Sequence, residues 1–158
     1  NEKAYYSKTL KNYLDLFMPK TLYEKFSGFI GVTKISDRGE IILRLKSNSS
    51  FDAIDSYELT VDKNKWRISE LNIIQKYEPR NIKGKFFYIR KGYQWVVSDI
   101  FTSFTVSGHK YLEKSQYTYK KIQSFWLINK VIQKVQRDGQ DILLNRFRLI
   151  NYQINSKN

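Results

Sequence analysis

The sequence contains no cysteine, one histidine and two prolines among its 158 residues. The missing thiols exclude disulfides, zinc–thiolate sites and cysteine catalysis. A lone histidine, His109, argues against a transition-metal site, because such sites draw on several imidazole or thiolate ligands. We therefore predict no metal and no cofactor. A chain without cysteine is compatible with either the cytosol or the periplasm.

Recognisable catalytic arrangements are also missing. The sequence has no Gly-x-Ser-x-Gly elbow, no glycine-rich phosphate loop and no dinucleotide fingerprint. His109 falls in a turn-like segment, and Asp52 and Asp55 fall in a loop, so we expect all three to be solvated. Asp99 lies within an apolar strand and is expected to face outward. We predict that the chain is not an enzyme and has no catalytic residues.

Long apolar runs are absent. No uninterrupted run exceeds four residues, as at positions 125–128, whereas a membrane-spanning helix needs about 20. The first residue is Asn1 rather than Met, which indicates a processed or truncated chain. We expect the gene to encode an apolar export segment upstream of Asn1, and we predict a periplasmic location.

Positive charge is abundant and unevenly distributed. The chain has 28 Lys and Arg against 15 Asp and Glu, a net charge of +13. Residues 81–158 hold 14 basic and 4 acidic residues, whereas residues 1–80 hold 14 and 11. The more basic half also contains strand-like aromatic runs at 86–88, 93–95, 117–119 and 125–127. This combination is typical of a protein that binds anionic or amphiphilic partners.

Apolar spacing divides the chain into a short helical part and a long strand part. Helical spacing over residues 6–17, ended by Pro19, predicts one or two helices within about residues 2–27. Period-two alternation then predicts a sheet over about residues 29–154. The polar loop at 78–81 separates the two charge regimes, and we place it inside a single domain, 1–158.

Two details of the strand region are specific. The apolar phase shifts between Ile68 and Leu71, which predicts a β-bulge near residues 69–70. Asp138 and Gly139 stand between two alternating runs, and Asp-Gly is a strong signal for a two-residue hairpin turn. Bulges and tight hairpins favour a curved antiparallel sheet.

Residues 117–155 resemble the last strands of the periplasmic outer-membrane lipoprotein carriers and their lipoprotein-sorting relatives. The resemblance lies in the pattern Tyr-x-Tyr-x-x-Ile-x-x-Phe-Trp-Leu from Tyr117, then Lys130 and Lys134, the Asp-Gly turn, and Phe147. Ile128 replaces a proline that often follows Trp-Leu in that family, and the early strands do not match. The resemblance implies an unclosed, curved sheet with helices over an apolar cavity that holds acyl chains.

The first half has a competing resemblance, to the cystatin-like cone folds, in which a helix backs a curved sheet. It rests on the N-terminal helical segment and on residues 40–46, 57–61 and 65–69. Both resemblances imply the same α+β architecture: a strongly curved antiparallel sheet, an open half-barrel, with one or two N-terminal helices packed in its concavity.

These observations predict a non-enzymatic, extracytoplasmic carrier that binds an acylated or amphiphilic ligand, such as a lipoprotein or lipid, in an apolar cavity. Basic residues near the mouth would meet an anionic headgroup or membrane surface. The predicted ligand-binding residues are Phe87, Trp95, Val97, Phe101, Trp126, Phe147 and Leu149, with Arg90 and Lys91 as the basic pair.

Two alternatives remain open. The first is a structural or assembly domain of an envelope or secretion complex, whose spare apolar face would be an interface. The second is a nucleic-acid-binding domain that combines basic residues with aromatics. Nucleic acid is the less favoured partner because the basic residues are scattered along the sequence and the common RNA-binding signature is absent.

Overall fold

A computed structural model describes residues 24, 26–50 and 52–150 of the chain. Nine strands pair antiparallel in chain order to form one sheet, in which β1 and β9 are the two edges. Because β1 and β9 do not pair with each other, the sheet is open. The strands are β1 (Phe29–Ile35), β2 (Ile41–Ser47), β3 (Ile54–Asp62), β4 (Arg67–Gln75), β5 (Asn81–Lys91), β6 (Gln94–Val106), β7 (His109–Ile122), β8 (Phe125–Arg137) and β9 (Gln140–Arg148).

The prediction of an α+β fold with helices packed in the concavity is wrong for the part of the chain that the structure describes. That part is all-β, with nine strands in one sheet and no helix among its elements. The physical reason is that the alternation of residues typical of strands continues from Phe29 to Arg148, interrupted only by short connections. Helical spacing is confined to earlier residues, and apart from positions 24, 26 and 27 the helices predicted at about 2–27 lie outside the described residues.

The predicted bulge and hairpin are confirmed. The β3–β4 register shifts between the pairs Thr60↔Glu70 and Val61↔Ile68, which leaves Ser69 as the extra residue. Asp138 and Gly139 both have positive φ, at 49° and 85°, the backbone of a two-residue hairpin turn that matches strand twist. The boundary predicted at 78–81 falls at the connection between β4 and β5, residues 76–80, and at the first residue of β5, so the two charge regimes share one sheet.

Strand register assigns every side chain to one of two faces, because residues paired across an antiparallel ladder point to the same side. One side is the more buried and is called the apolar face; its members include Leu45, Tyr57, Ile73, Ile82, Phe104, Tyr117, Val131 and Phe147. The opposite side is called the basic face; its members include Lys83, Lys85, Phe87, Phe101, Leu112, Lys114, Lys130, Lys134, Leu144 and Arg146.

The core lies on the apolar face at two places. On β2 and β3, Leu45, Tyr57 and Leu59 are buried together, and Phe26 and Phe29 pack on Tyr57 with ring centroids 5.2 and 5.3 Å away. On β8, Val131 is fully buried between its register partners Tyr117 and Phe147. These contacts fix which side of the sheet faces inward.

A polar chain crosses the apolar face between β7 and β9. Glu113 Oε1 accepts hydrogen bonds from the Ser115 hydroxyl at 3.2 Å and from Gln133 Nε2 at 2.7 Å. Asn145 Nδ2 donates to Gln133 Oε1 at 2.9 Å. Polar groups on a largely buried face are tolerated because they satisfy one another, and they oppose slippage of these three strands.

Candidate ligand-binding face

The basic residues that are scattered in sequence gather on one side of the sheet. In residues 81–87, 99–106, 109–118, 130–137 and 140–148, the basic face carries eight cations and two carboxylates, whereas the apolar face carries Glu113 near its centre and His109 and Arg137 at one end. Beyond the bulges the basic residues are divided equally: Lys91 and Lys120 follow the basic face, and Arg90 and Lys121 follow the apolar face. The eight cations are Lys83, Lys85, Lys110, Lys114, Lys130, Lys134, Arg146 and Arg148, and the two carboxylates are Asp99 and Asp141. Such a surface attracts anions over distances of about a Debye length, roughly 8 Å at physiological salt.

Cross-strand ion pairs neutralise only part of this charge. Lys134 Nζ lies 2.7 Å from Asp141, and Lys114 Nζ lies 3.8 Å from Asp99. Lys85 Nζ lies 3.0 Å from Glu70 on β4. The Lys134 ammonium, then the Gln136 amide, hold the pKa of the Asp141 carboxyl below its usual range. Within the described residues, the five remaining cations have no carboxylate partner: Lys83, Lys110, Lys130, Arg146 and Arg148.

A strip of exposed apolar side chains runs among these cations. Phe87, Phe101 and Leu112 stand on the neighbouring strands β5, β6 and β7 and are 48%, 42% and 39% exposed. The Phe87 and Phe101 rings meet edge to face with centroids 5.3 Å apart. Phe101 also lies 5.1 Å from the Lys114 ammonium, a cation–π contact. These three residues form what we call the apolar strip.

The strip opens into a groove of about 480 Å³. Its lining combines Phe101 and Leu112 with four lysines, Lys83, Lys85, Lys114 and Lys134. The aliphatic stems of lysine extend apolar surface while their ammonium groups remain in water. The groove therefore offers an apolar floor and a cationic rim, which suits a molecule with an apolar tail and an anionic head.

A larger groove of about 770 Å³ occupies the same side of the sheet over β1–β4. Ile30, Val32 and Ile74 supply its exposed apolar lining, and Arg44 is paired with Glu58 in its wall. Its charges are therefore more nearly balanced than those over β5–β9.

Tyrosines on the apolar face are held in place by burial and by backbone hydrogen bonds. The Tyr119 hydroxyl donates to the Val97 carbonyl at 2.6 Å, and the Tyr88 hydroxyl donates to the Ile68 carbonyl at 2.7 Å. Burial raises the pKa of Tyr119 to about 12, and burial also raises the pKa of Tyr88. These phenols stay protonated at neutral pH and serve to tie strand ends together.

The predicted ligand-binding residues divide between the two faces. Phe87 and Phe101 lie on the basic face, whereas Trp95, Val97 and Phe147 follow the register of the apolar face. The cause is a bulge: β6 pairs Asp99 with Phe87 and Val97 with Tyr88, so Ser98 is an extra residue that reverses the alternation. Positions 95, 97 and 101 therefore do not share a side, although all three are odd-numbered.

The other predicted residues lie near strand ends. Trp126 is half-buried, with the Lys91 ammonium 5.4 Å from its ring. Arg90 is exposed and donates from Nε to the Gly92 carbonyl at 3.0 Å. Leu149 is half-buried just after β9, where its N–H donates to the Asn129 carbonyl. Of the two predicted cations, Lys91 therefore contacts an aromatic ring and Arg90 contacts backbone.

The structure adds residues that sequence analysis did not select. Lys83, Lys114 and Lys134 surround the apolar strip, and Leu112 extends it. A signal for them was present, because lysines recur at even spacing at 83 and 85, 110 and 114, and 130 and 134. Placing them on one face needs the register of three strand pairs, β5–β6, β6–β7 and β7–β8, which the sequence does not supply.

His109 has a structural contact. Its Nδ1 lies 2.7 Å from Asp138 Oδ2, and the Lys110 N–H donates to Asp138 Oδ1 at 2.9 Å, so two neighbouring turns are joined. The His109 and Lys110 hydrogen bonds hold the pKa of the Asp138 carboxyl below its usual range. In the described part of the chain, no three His, Asp or Glu side chains are grouped as metal ligands would be.

Comparisons of the chain with protein families, with curated proteins and with solved structures found no match. In residues 24, 26–50 and 52–150 there is no helix with the length and hydropathy needed to cross a membrane.

Proposed function

We propose that this protein is a non-enzymatic carrier that binds an acylated or otherwise amphiphilic anion on its basic face. The observation that carries the proposal is the apolar strip of Phe87, Phe101 and Leu112, which is exposed among cations. An apolar patch of this kind on a solvent-facing sheet is characteristic of an interaction surface. The proposal differs from an enclosed acyl cavity: the ligand lies in an open groove.

Both halves of an amphiphile would contribute to binding. Each buried methylene is worth about 0.8 kcal/mol, which is about a fourfold gain in affinity. Association costs of several kcal/mol oppose this gain, so a short chain binds weakly and affinity should climb with chain length. Each lysine near an anionic surface adds about 1 kcal/mol. An acylated lipoprotein or an anionic lipid has both the apolar chain and the anionic group that this surface would bind. We also propose that the carrier works outside the cytoplasm, in the periplasm.

Calorimetry with saturated fatty acids of 8, 10 and 12 carbons, below their micelle concentrations, tests the proposal. We expect affinity to rise by up to fourfold per added methylene. The variant Phe101→Ser should reduce laurate affinity about tenfold, whereas Ile35→Ser, an exposed apolar change on distant β1, should leave it unchanged. Absence of binding by all three acids, or equal loss in both variants, would reject the proposal.

Single-stranded nucleic acid is the second candidate, because clustering on one face removes the objection that the basic residues are scattered. Exposed rings on a basic sheet are the pattern used to stack bases. Against this candidate, Leu112 and Leu144 are aliphatic, and Lys114 lies close to Phe101. Nucleic-acid binding would weaken steeply with salt, with a slope set by the number of phosphates contacted. A fluorescent oligonucleotide titrated at 50 and 200 mM salt separates the two candidates.

A further inference from the structure

Arg67, at the start of β4, has a buried guanidinium with no hydrogen-bond acceptor in the described residues. Its side chain is 15% exposed, and Nε and Nη1 are enclosed without a partner. Nη2 lies 4.0 Å from Asp62 Oδ2, which is beyond hydrogen-bond distance. A guanidinium carries five N–H donors in a fixed fork, and none of them is used here.

A buried charge without acceptors is strongly unfavourable. Two aromatic contacts offset part of that cost: the guanidinium carbon lies 4.1 Å from the Trp95 ring and 5.0 Å from the Tyr88 ring. The unused donors of Arg67 match the oxygens of a carboxylate or a phosphate, the groups that its planar fork binds best.

The guanidinium borders an opening of about 320 Å³, which we call the Arg67 pocket. Lys65 adds a second cation to its lining, and Asp62 is its one carboxylate. Phe87 is the one residue of the apolar strip that lines this pocket. The pair Glu70↔Lys85 is the last between β4 and β5 on this side, so the pocket opens where the two strands separate, and residues of both faces line it: Trp95 of the apolar face and Phe87 of the basic face.

We propose that the Arg67 pocket binds the acidic headgroup, a carboxylate or a phosphate, of the amphiphile whose tail lies on the apolar strip. This inference rests on the proposed function. The headgroup pairs with the Arg67 fork, with Lys65 as the outer cation, and the chain leaves past Phe87 toward Phe101. Nε and Nη1 lie under neighbouring side chains, so the headgroup reaches them by displacing the Trp95 ring, which is 46% exposed.

The test compares laurate, dodecyl phosphate and the uncharged dodecanol in wild type, Arg67→Gln and Arg38→Gln. Arg38 is the matched control because it is an exposed arginine in the turn between β1 and β2, away from the cations of β5–β9. Loss of charge-assisted hydrogen bonds predicts that Arg67→Gln weakens laurate and dodecyl phosphate about 10- to 100-fold and leaves dodecanol unchanged. Arg38→Gln should alter each affinity less than threefold, because this arginine lies in the β1–β2 turn.

The outcomes separate the two proposals. If none of the amphiphiles binds to wild type, the carrier proposal fails. If all bind but Arg67→Gln behaves as Arg38→Gln does, the carrier proposal stands and the headgroup site is wrong. Inorganic phosphate is a further arm: saturable binding that depends on Arg67 would indicate a free-anion site, and this result would overturn the assignment to an amphiphile.

A second measurement uses the wild-type protein, so its outcome does not depend on whether a variant folds. The Arg67 Nε–H resonance, assigned in a ¹⁵N-labelled sample, should shift on addition of laurate and remain unmoved on addition of dodecanol. An Nε–H signal that stays in place while laurate binds elsewhere would overturn the inference. Arg67→Lys, which keeps the charge and loses the fork, should give an affinity between wild type and Arg67→Gln.

Discussion

Val131→Ala tests whether the apolar face is the core of the sheet. Val131 is the fully buried residue of β8, at 0% exposure, between Tyr117 on β7 and Phe147 on β9. Truncation removes two methyl groups and leaves a cavity between three strands. At about 0.8 kcal/mol or more per carbon, plus a cavity cost, the unfolding free energy should fall by about 2–3 kcal/mol.

The matched control is Val32→Ala on edge strand β1, where the same chemical change is made at a side chain 67% exposed. We expect this variant to lose less than about 0.5 kcal/mol. Urea unfolding followed by circular dichroism gives both values, and equal m-values would show that the two variants unfold the same surface. Each kcal/mol corresponds to about 2–4 °C in Tm for a chain of this size. If Val131→Ala cost no more than Val32→Ala, the assignment of faces would be refuted.

Three further predictions concern the phenols, the turns and the charge. Tyr119→Phe should lower the unfolding free energy by about 1 kcal/mol through loss of its bond to the Val97 carbonyl. Burial raises the pKa of Tyr119 from its usual value of 10.0 to about 12 in the folded protein. The stabilisation linked to this shift is complete below pH 10 and is lost as the pH rises toward 12. The unfolding free energy measured in urea should therefore fall less between pH 10 and 12 in Tyr119→Phe than in wild type. Gly139 has a φ of 85°, and a Cβ added there would meet no heavy atom within 4 Å. Gly139→Ala should therefore lower the unfolding free energy, measured by thermal unfolding, by about 1 kcal/mol from backbone conformation alone. Gly28→Ala, which also adds a Cβ in open space, should cost less. The double variant Lys130→Gln/Arg146→Gln should weaken binding to anionic vesicles at least tenfold at low salt in a sedimentation assay. Lys34→Gln/Arg38→Gln, on the first hairpin, should have little effect. Equal losses in the two double variants would contradict the localisation of charge on β5–β9.

Local strand and turn structure could be predicted from the sequence because the information is local. Period-two alternation marks Phe29–Ile35 as a strand, and the Asp138-Gly139 turn follows from the preference of these residues for positive φ. The phase shift between Ile68 and Leu71 marks the bulge at Ser69 because apolar residues on both sides reveal the change of face.

The faces of β6 and β9 could not be predicted in the same way. Around Ser98, apolar residues occupy both odd and even positions, so the change of face at the bulge leaves no visible pattern. Regular alternation from Trp95 and Val97 therefore assigns Phe101 to the wrong face. Ile142, the extra residue of β9, is itself apolar and conceals its bulge in the same way. One undetected bulge transfers every later side chain of a strand to the other face.

The basic face and the Arg67 pocket depend on register across several strands. Lys83, Lys114 and Lys134 are separated by 20 or more positions in sequence and meet only through β5–β8 pairing. Arg67 meets Trp95 through the approach of β4 to the β5–β6 hairpin. The α+β prediction failed for a different reason: its helical part rested on spacing at residues 6–17, which lie outside the described residues, whereas the described part of the chain is one open sheet.

The most direct test of the account is paramagnetic broadening of leucine methyl signals by a fatty acid that carries a spin label on its chain. Leu112 and Leu144 lie on the basic face, whereas Leu45 and Leu59 lie in the core of the apolar face. We predict strong broadening of the Leu112 methyls, weaker broadening of Leu144 and none of Leu45 or Leu59. Broadening of Leu45 and Leu59 with Leu112 unaffected would place the ligand on the opposite side of the sheet and contradict the account.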